Sequence, residues 1–381
     1  MNRSCFIFAG EPSGDLHGGH LMRALHQEFH FWGVGGKEMR AEGVELLLEM
    51  EQFRVMGFIE VLKNFIKIRK NFYLVLRAIL EKNPDCVLLI DFPGFNLRLA
   101  SALRKRGYRG KIVHYICPAV WAHGKGRIAA MASSLDLLLT IYPFEKHLFQ
   151  HTGLRVEFIG NPLLEEVGKT AVPTWNLPKE GELISLFPGS RKEEIQRHTH
   201  LLLAAAALIK KDFPHLLFAL SCSSEECVPF FETAIQTASL RLNQDIYLVE
   251  SRWNHALMER SKTALAKSGT VTLELAFRLI PTVVIYAPPL VNYLIAKKIL
   301  RISLPFYCIV NILGGREIFP EIIQTKITPE QIARAASELH TDPKKRNNAL
   351  MGCEEVKACS LNALHISASE MAALSIKGLW P

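Results

Sequence analysis

Short, fully apolar runs alternate with segments of helical period along most of the chain. Residues 5–9 (CFIFA) are apolar at every position and stop at Gly10, the profile of a strand covered on both faces of a parallel sheet. The loop Gly10-Glu11-Pro12-Ser13-Gly14-Asp15 follows, and Leu16, Leu21, Met22 and Leu25 then take helical spacing. A strand, a glycine-rich turn and a helix open a nucleotide-binding α/β unit, whose ligands gather at the carboxyl ends of the strands. The pattern predicts further strands at 31–36, 86–91, 111–116, 135–141 and 155–159, with a helix over 97–106. Such alternation argues for a parallel sheet with helices on both faces.

Residues 168–182 (GKTAVPTWNLPKEGE) are polar, carry two prolines and read as a linker. The alternation then restarts at 183–187 (LISLF), with strands expected at 216–220, 246–249, 263–266 and 281–286 and helix from about 330 onward. The fold class is therefore α/β, with two open α/β domains and a cleft between them. The expected divisions are 1–167, a linker over 168–182, 183–355, and a helical tail over 356–381 able to pack back on the first domain.

Composition narrows the partners. The 381 residues are 49% hydrophobic and 22% charged, as in an ordinary soluble protein with ample core. A net charge of +8 calls for an anionic partner: nucleic acid, a phosphorylated substrate or an anionic membrane face. No RNA-binding motif or arginine-rich tract supports nucleic acid. Eight cysteines without a CxxC pair fit reduced thiols in the cytoplasm. Met1–Ala9 is too short for a signal peptide, and the apolar run at 201–209 ends at Lys210-Lys211, short of a bilayer span. No metal is expected, since His198 and His200 lie two apart on a predicted helix and cannot share a face.

Four stretches place polar groups at strand ends: 10–17, 91–96, 188–195 and 267–274. Asp91 ends an apolar run, so its carboxylate should emerge at the sheet edge as a general base, with Glu11 as the rival and an ordinary turn-forming Asp as the plain alternative. Arg191, following Pro188-Gly189-Ser190, puts a guanidinium at a helix start and suits a diphosphate, unless it only pairs Glu194 on its own helix. Ser268-Gly269-Thr270 with Glu274 makes a second anion-ready helix start that lacks the Gly-Lys-Ser/Thr of a Walker loop. Glu274 there either holds a ribose or merely complements the helix dipole. Residues 53–80 mix Phe53, Met56, Phe58, Ile59, Leu62, Phe65, Ile66, Phe72 and Tyr73 with Arg54, Lys63, Lys67, Arg69, Lys70 and Arg77. That mixture fits either a lipid-surface helix or a core helix with a solvated face. Residues 290–306, with Lys297, Lys298 and Arg301, form a second such region.

Several of these stretches belong to longer motifs: Gly10-Glu11-Pro12-Ser13-Gly14-Asp15, Val55-Met56-Gly57, Ile90-Asp91-Phe92-Pro93-Gly94-Phe95-Asn96, Pro118-Ala119-Val120-Trp121-Ala122, Tyr142-Pro143-Phe144-Glu145 and Phe158-Ile159-Gly160-Asn161-Pro162. Phe187-Pro188-Gly189-Ser190-Arg191, Ser268-Gly269-Thr270 with Glu274, and Asn311-Ile312-Leu313-Gly314-Gly315-Arg316-Glu317 complete the series. In order and over nearly the whole chain, these motifs resemble the lipid-A-disaccharide synthases. The resemblance implies two Rossmann-like domains of GT-B type and an inverting transfer from UDP-2,3-diacylglucosamine to 2,3-diacylglucosamine 1-phosphate (lipid X). It also implies no metal or other cofactor, work at the cytoplasmic face of the inner membrane as a peripheral protein, and allows a homodimer.

Carried over by position, the resemblance makes Asp91 the candidate base for the acceptor 6-hydroxyl, with Glu11, Ser13 and Asp15 on the acceptor side and Met56 and Phe58 on its apolar surface. It puts Arg191, Ser190, Ser268, Gly269, Thr270, Glu274, Asn311 and Arg316 at the donor UDP. Departures fall at Ile309-Val310, His123 and Lys267, and touch loop shape more than reaction. Two other functions compete: a UDP-sugar epimerase of similar architecture, and a basic membrane-surface protein without chemistry.

Overall fold

The computed structural model describes residues 2–53, 58–122, 124, 126–169, 173–289 and 304–380, and the side chains of 58–65 fall outside that description. Met56 and residues 290–303 therefore lie outside the described residues, as does the side chain of Phe58. The chain forms two compact units, Met1–Pro162 with Ser360–Pro381, and Leu163–Cys359.

The first unit carries strands β1 (Arg3–Ala9), β2 (Phe29–Gly35), β3 (Glu45–Glu49), β4 (Cys86–Ile90), β5 (Lys111–Tyr115), β6 (Leu137–Thr140) and β7 (Arg155–Phe158). They form a sheet in the order β3-β2-β1-β4-β5-β6-β7, parallel throughout. Among its helices are α1 (Pro12–Leu25), α2 (Lys37–Ala41), α3 (Phe58–Lys82), α4 (Pro93–Lys105) and α5 (Arg127–Ser134). Because strand side chains alternate in direction, each apolar run feeds two cores. Phe6, Phe8, Val87 and Leu89 face one layer with Phe95 and Leu99. Cys5, Ile7, Leu88 and Ile90 face the other with Leu21 and Met22.

The second unit repeats the plan with β8 (Leu183–Phe187), β9 (Leu217–Cys222), β10 (Ile246–Glu250), β11 (Thr263–Lys267), β12 (Thr282–Tyr286) and β13 (Glu321–Ile323). Their order is β10-β9-β8-β11-β12-β13. Helices α6 (Lys192–Asp212), α7 (Val228–Thr237), α8 (Asn254–Arg260), α9 (Thr270–Phe277), α10 (Ile309–Gly314), α11 (Pro329–Thr341) and α12 (Pro343–Cys359) belong to it. The stretch read as a linker is part of this unit: Leu177 is buried with Leu183 and Phe187, and Trp175 packs beside it. The first unit accordingly ends at Pro162.

Two strands escape the sequence pattern. Glu45-Leu-Leu-Leu-Glu49 is built from residues that favour helix, and β13 has only three residues. The sheet edges place them, not local preference.

The last helix, α13 (Ala368–Lys377), returns to the first unit, where Ala372, Ala373 and Ile376 share a core with Leu21, Met22 and Leu25. Asn362 anchors that return. Its Nδ2 donates to the carbonyls of Ile159 (2.9 Å) and Ile366 (2.8 Å), and its Oδ1 accepts from the amides of Leu364 and Ile366. Asn362→Ala should cost about 2–3 kcal/mol, since buried carbonyls lose their partners, and chemical denaturation with a signal from the first unit reads that loss.

Candidate active site

In a parallel sheet all strands end at one edge, and ligands gather where strand order reverses. In the first unit that point lies between β1 and β4, which pair directly. Glu11 follows β1 and Asp91 follows β4. Asp91 (φ 44°) and Phe92 (φ 46°) both adopt the left-handed conformation, which costs a non-glycine residue roughly 1–2 kcal/mol. The surroundings hold it. The Asp91 amide donates to the Tyr115 carbonyl at 2.8 Å. Asn96, fully buried, donates from Nδ2 to the carbonyls of Ile90 (3.1 Å) and Asp91 (2.7 Å). Gly10 completes the turn, because a Cβ there would meet the Phe92 ring at 3.0 Å.

The turn presents Asp91 to a pocket of about 550 Å³ whose walls include Glu11, Ile68, Phe72, Phe95 and Arg98. Burial, and secondarily the negative charge of Glu11, lift the Asp91 carboxyl to about 6 against the stabilising Phe92 N–H. A carboxylate of that basicity beside an apolar cavity is matched to taking a proton from a bound alcohol near neutral pH.

The other residues expected on the acceptor side divide. Glu11 lines the pocket. Ser13 is exposed on the first turn of α1 and is not among the lining residues. Asp15, also expected on the acceptor side, is turned into the fold and does not line the pocket. It is buried, its Oδ1 accepts from the amides of Gly36 (2.7 Å) and Met39 (3.2 Å), and its Oδ2 accepts from Glu38 (2.9 Å). It caps α2 and fixes α1 to the β2–α2 turn.

In the second unit the reversal falls between β8 and β11. Arg191 precedes α6 with its side chain 76% exposed and an Nη1 3.6 Å from Glu194. Ser190 is exposed beside it. Gly189 is left-handed (φ +117°), and a Cβ there would strike Glu194 Oε2 at 2.8 Å. Lys267, noted from sequence only as a departure, ends β11 with its Nζ 2.9 Å from Glu194 Oε1 and 5.4 Å from the Tyr286 ring centre. Burial pushes the Glu194 carboxyl up, but Lys267 and Arg191 outweigh it and hold the group below its usual range. Ser268, Gly269 and Thr270 follow at the start of α9, where Gly269 and Thr270 are exposed. Glu274 lies 3.5 Å from His255 Nε2.

Asn311 and Arg316, expected at the donor, both have partners within their own unit. Asn311 is fully buried; it donates to Phe319 O (2.8 Å) and Glu321 Oε1 (2.7 Å) and accepts from the amides of Ile318 and Phe319. All its hydrogen-bonding capacity goes to the loop after α10 and to the Glu321 carboxylate at the start of β13. Arg316 pairs with Glu355 on α12 at 2.7 Å. A further buried group escaped the sequence reading of the site. Glu145 is fully buried and lifted to about 8 by that burial, with Oε2 accepting from the Tyr142 amide at 3.1 Å. Its Tyr-Pro-Phe-Glu motif was the available signal.

Residues 5–376 match the family model of lipid-A-disaccharide synthetase. The chain belongs to that family. Among curated relatives, the lipid-A-disaccharide synthase of Chlamydia trachomatis serovar D is 38% identical over 97% of this chain. That of Trichlorobacter lovleyi is 35% identical over 88% of this chain and 88% of its own length. The chain spans only 61% of the length of the chlamydial relative. Solved structures of similar fold include the glycosyltransferase of kitacinnamycin, with TM-score 0.65 at 13% identity over the whole of both chains. A UDP-GlcNAc 2-epimerase from Neisseria meningitidis bound to UDP-GlcNAc gives TM-score 0.60 at 12% identity, covering 94% of this chain and 96% of that one. These likenesses establish the GT-B fold with its two Rossmann-like units; membership of the family rests on sequence. Among the described residues no helix is long and apolar enough to cross a membrane, and no group of three His, Cys, Asp or Glu side chains could hold a metal ion.

The raised Asp91 carboxyl has a stability consequence whose sign is fixed. Its folded-state value of about 6 lies above the ordinary 3.8, so ionisation opposes folding: the penalty is absent below pH ~4, grows between ~4 and ~6 and is constant above. Asp91→Asn should therefore stabilise the first unit by about 1–3 kcal/mol above pH 6 and by nothing near pH 3.5. Thermal melts of both proteins across that range check it.

Proposed function

We propose that this chain transfers 2,3-diacylglucosamine from UDP to the 6-hydroxyl of 2,3-diacylglucosamine 1-phosphate, releasing UDP and inverting the anomeric centre. Membership of the family supports the reaction class, and the observation that carries the reading is Asp91 held on a strained turn at an apolar pocket. Asp91 accepts the hydroxyl proton as the oxygen attacks. Glu11, beside it, raises its basicity and shapes the acceptor side. The departing UDP carries growing negative charge, which Arg191, Lys267 and the N-terminal amides of α6 and α9 are suited to stabilise.

The acyl chains require an apolar approach. On α3, Ile66 is 76% and Tyr73 49% exposed near Lys67 and Lys70, a surface suited to an anionic lipid face. We assign the working position to the cytoplasmic face of a membrane, reached peripherally.

Purified protein supplied with both diacylated sugars should yield UDP and a disaccharide 1-phosphate whose mass, read by mass spectrometry, is that of the two substrates together less UDP. Consumption of a UDP-sugar without acceptor, or binding without turnover, would overturn the assignment. Asp91→Asn should lower kcat by about 10²–10⁴-fold, and wild-type kcat/KM should fall tenfold per pH unit below about 6, following the Asp91 carboxyl. Arg191→Ala should raise the donor KM more than the acceptor KM in initial-rate measurements.

A further inference from the structure

The pocket beside Asp91 holds two cations that the proton transfer does not use. Arg69, on α3, and Arg98, on α4, both line it, and both are exposed. Neither stands within ion-pair distance of Glu11 or Asp91, nor of any other carboxylate among the described residues. Internal neutralisation of the two acids therefore does not account for them. The Arg69 guanidinium lies 5.8 Å from the Tyr73 ring centre, one helical turn on, a contact that orients the group without satisfying its donors. Arg98 follows Pro93 by five residues of α4, so it is displaced about 7.5 Å along the helix axis from the turn that carries Asp91, comparable with the width of a hexose ring. The same pocket is lined by Ile68, Phe72, Phe92 and Phe95, an apolar and largely aromatic wall.

Resting on the reaction proposed above, we infer that Arg69 and Arg98 bind the phosphate of the acceptor and set the preference for a phosphorylated acyl sugar over its phosphate-free counterpart. The occupant is amphipathic: an acyl chain against the aromatic wall, a hydroxyl at Asp91 and a phosphomonoester at the guanidinium pair. Arginine suits the last role because its planar fork of donors matches phosphate oxygens.

The test measures equilibrium binding and turnover of the diacylglucosamine 1-phosphate and of the same sugar lacking phosphate, with wild type, Arg98→Gln and the Arg69→Gln/Arg98→Gln double variant. Wild type should bind the phosphorylated sugar at least tenfold more tightly. The double variant should lose that preference and raise the acceptor KM 10–100-fold, leaving kcat, the donor KM and binding of the phosphate-free sugar within twofold. Equal losses on both sugars would mean a packing role and overturn the inference, as would an unchanged preference. A third arm uses vesicles of phosphatidylglycerol and of phosphatidylcholine. Loss of binding to the anionic vesicles with acceptor KM unchanged would reassign the pair to the membrane and overturn the inference. Because binding is read separately from turnover, a wild-type preference abolished in the variants without any disaccharide formed would refute the reaction yet uphold the phosphate site.

Discussion

Two hydrogen bonds from one buried amide govern the site in the first unit. Asn96 reaches back from the first turn of α4 to the carbonyls of Ile90 and Asp91, and the Asp91 amide is held by the neighbouring strand at Tyr115. Without these restraints the chain would relax out of two successive left-handed residues. With them, the end of β4 becomes a sharp corner and its carboxylate leaves the sheet toward the pocket instead of continuing as a helix cap. The same corner sets the electrostatics: the carboxylate is half-withdrawn from water and faces a second acid, so it keeps a proton affinity unusual for aspartate.

The two units use one architectural device for opposite charges. Each is a parallel sheet whose order reverses beside its first strand, and each gathers polar side chains at that reversal. In the first unit the gathered groups at the strand ends are acidic, Glu11 and Asp91. In the second, Glu194 is drawn between Lys267 and Arg191, which leaves positive character beside the starts of α6 and α9. The difference follows from which side chains stand at the strand ends of each sheet, acids after β1 and β4 and cations beside β8 and β11.

Buried polar residues away from the pocket do a different task. Asp15, Asn311 and Asn362 lie in loops or at helix ends rather than within strands, and each spends most or all of its hydrogen-bonding capacity on backbone groups that no regular element would satisfy. Asp15 caps a short helix, Asn311 folds the loop toward β13, and Asn362 turns the chain back onto the first unit. Motif residues can thus spend their polar groups on the fold itself.

The sequence by itself determined the alternation of buried strands and helices, the restart near residue 183 and the strand-end positions of Glu11, Asp91, Arg191 and Ser268, because apolar runs and glycine turns are local signals. The family resemblance was legible for the same reason: its motifs are contiguous. Only the tertiary structure decided which polar residues face open space. Asp15 and Glu11 stand four residues apart in one motif, yet one is consumed by amides of the β2–α2 turn and the other lines the pocket. Lys267 gained its partner from α6, and β3 became a strand because an edge of β2 was available to pair. Such outcomes depend on contacts between residues distant in sequence, which no local pattern of polarity encodes.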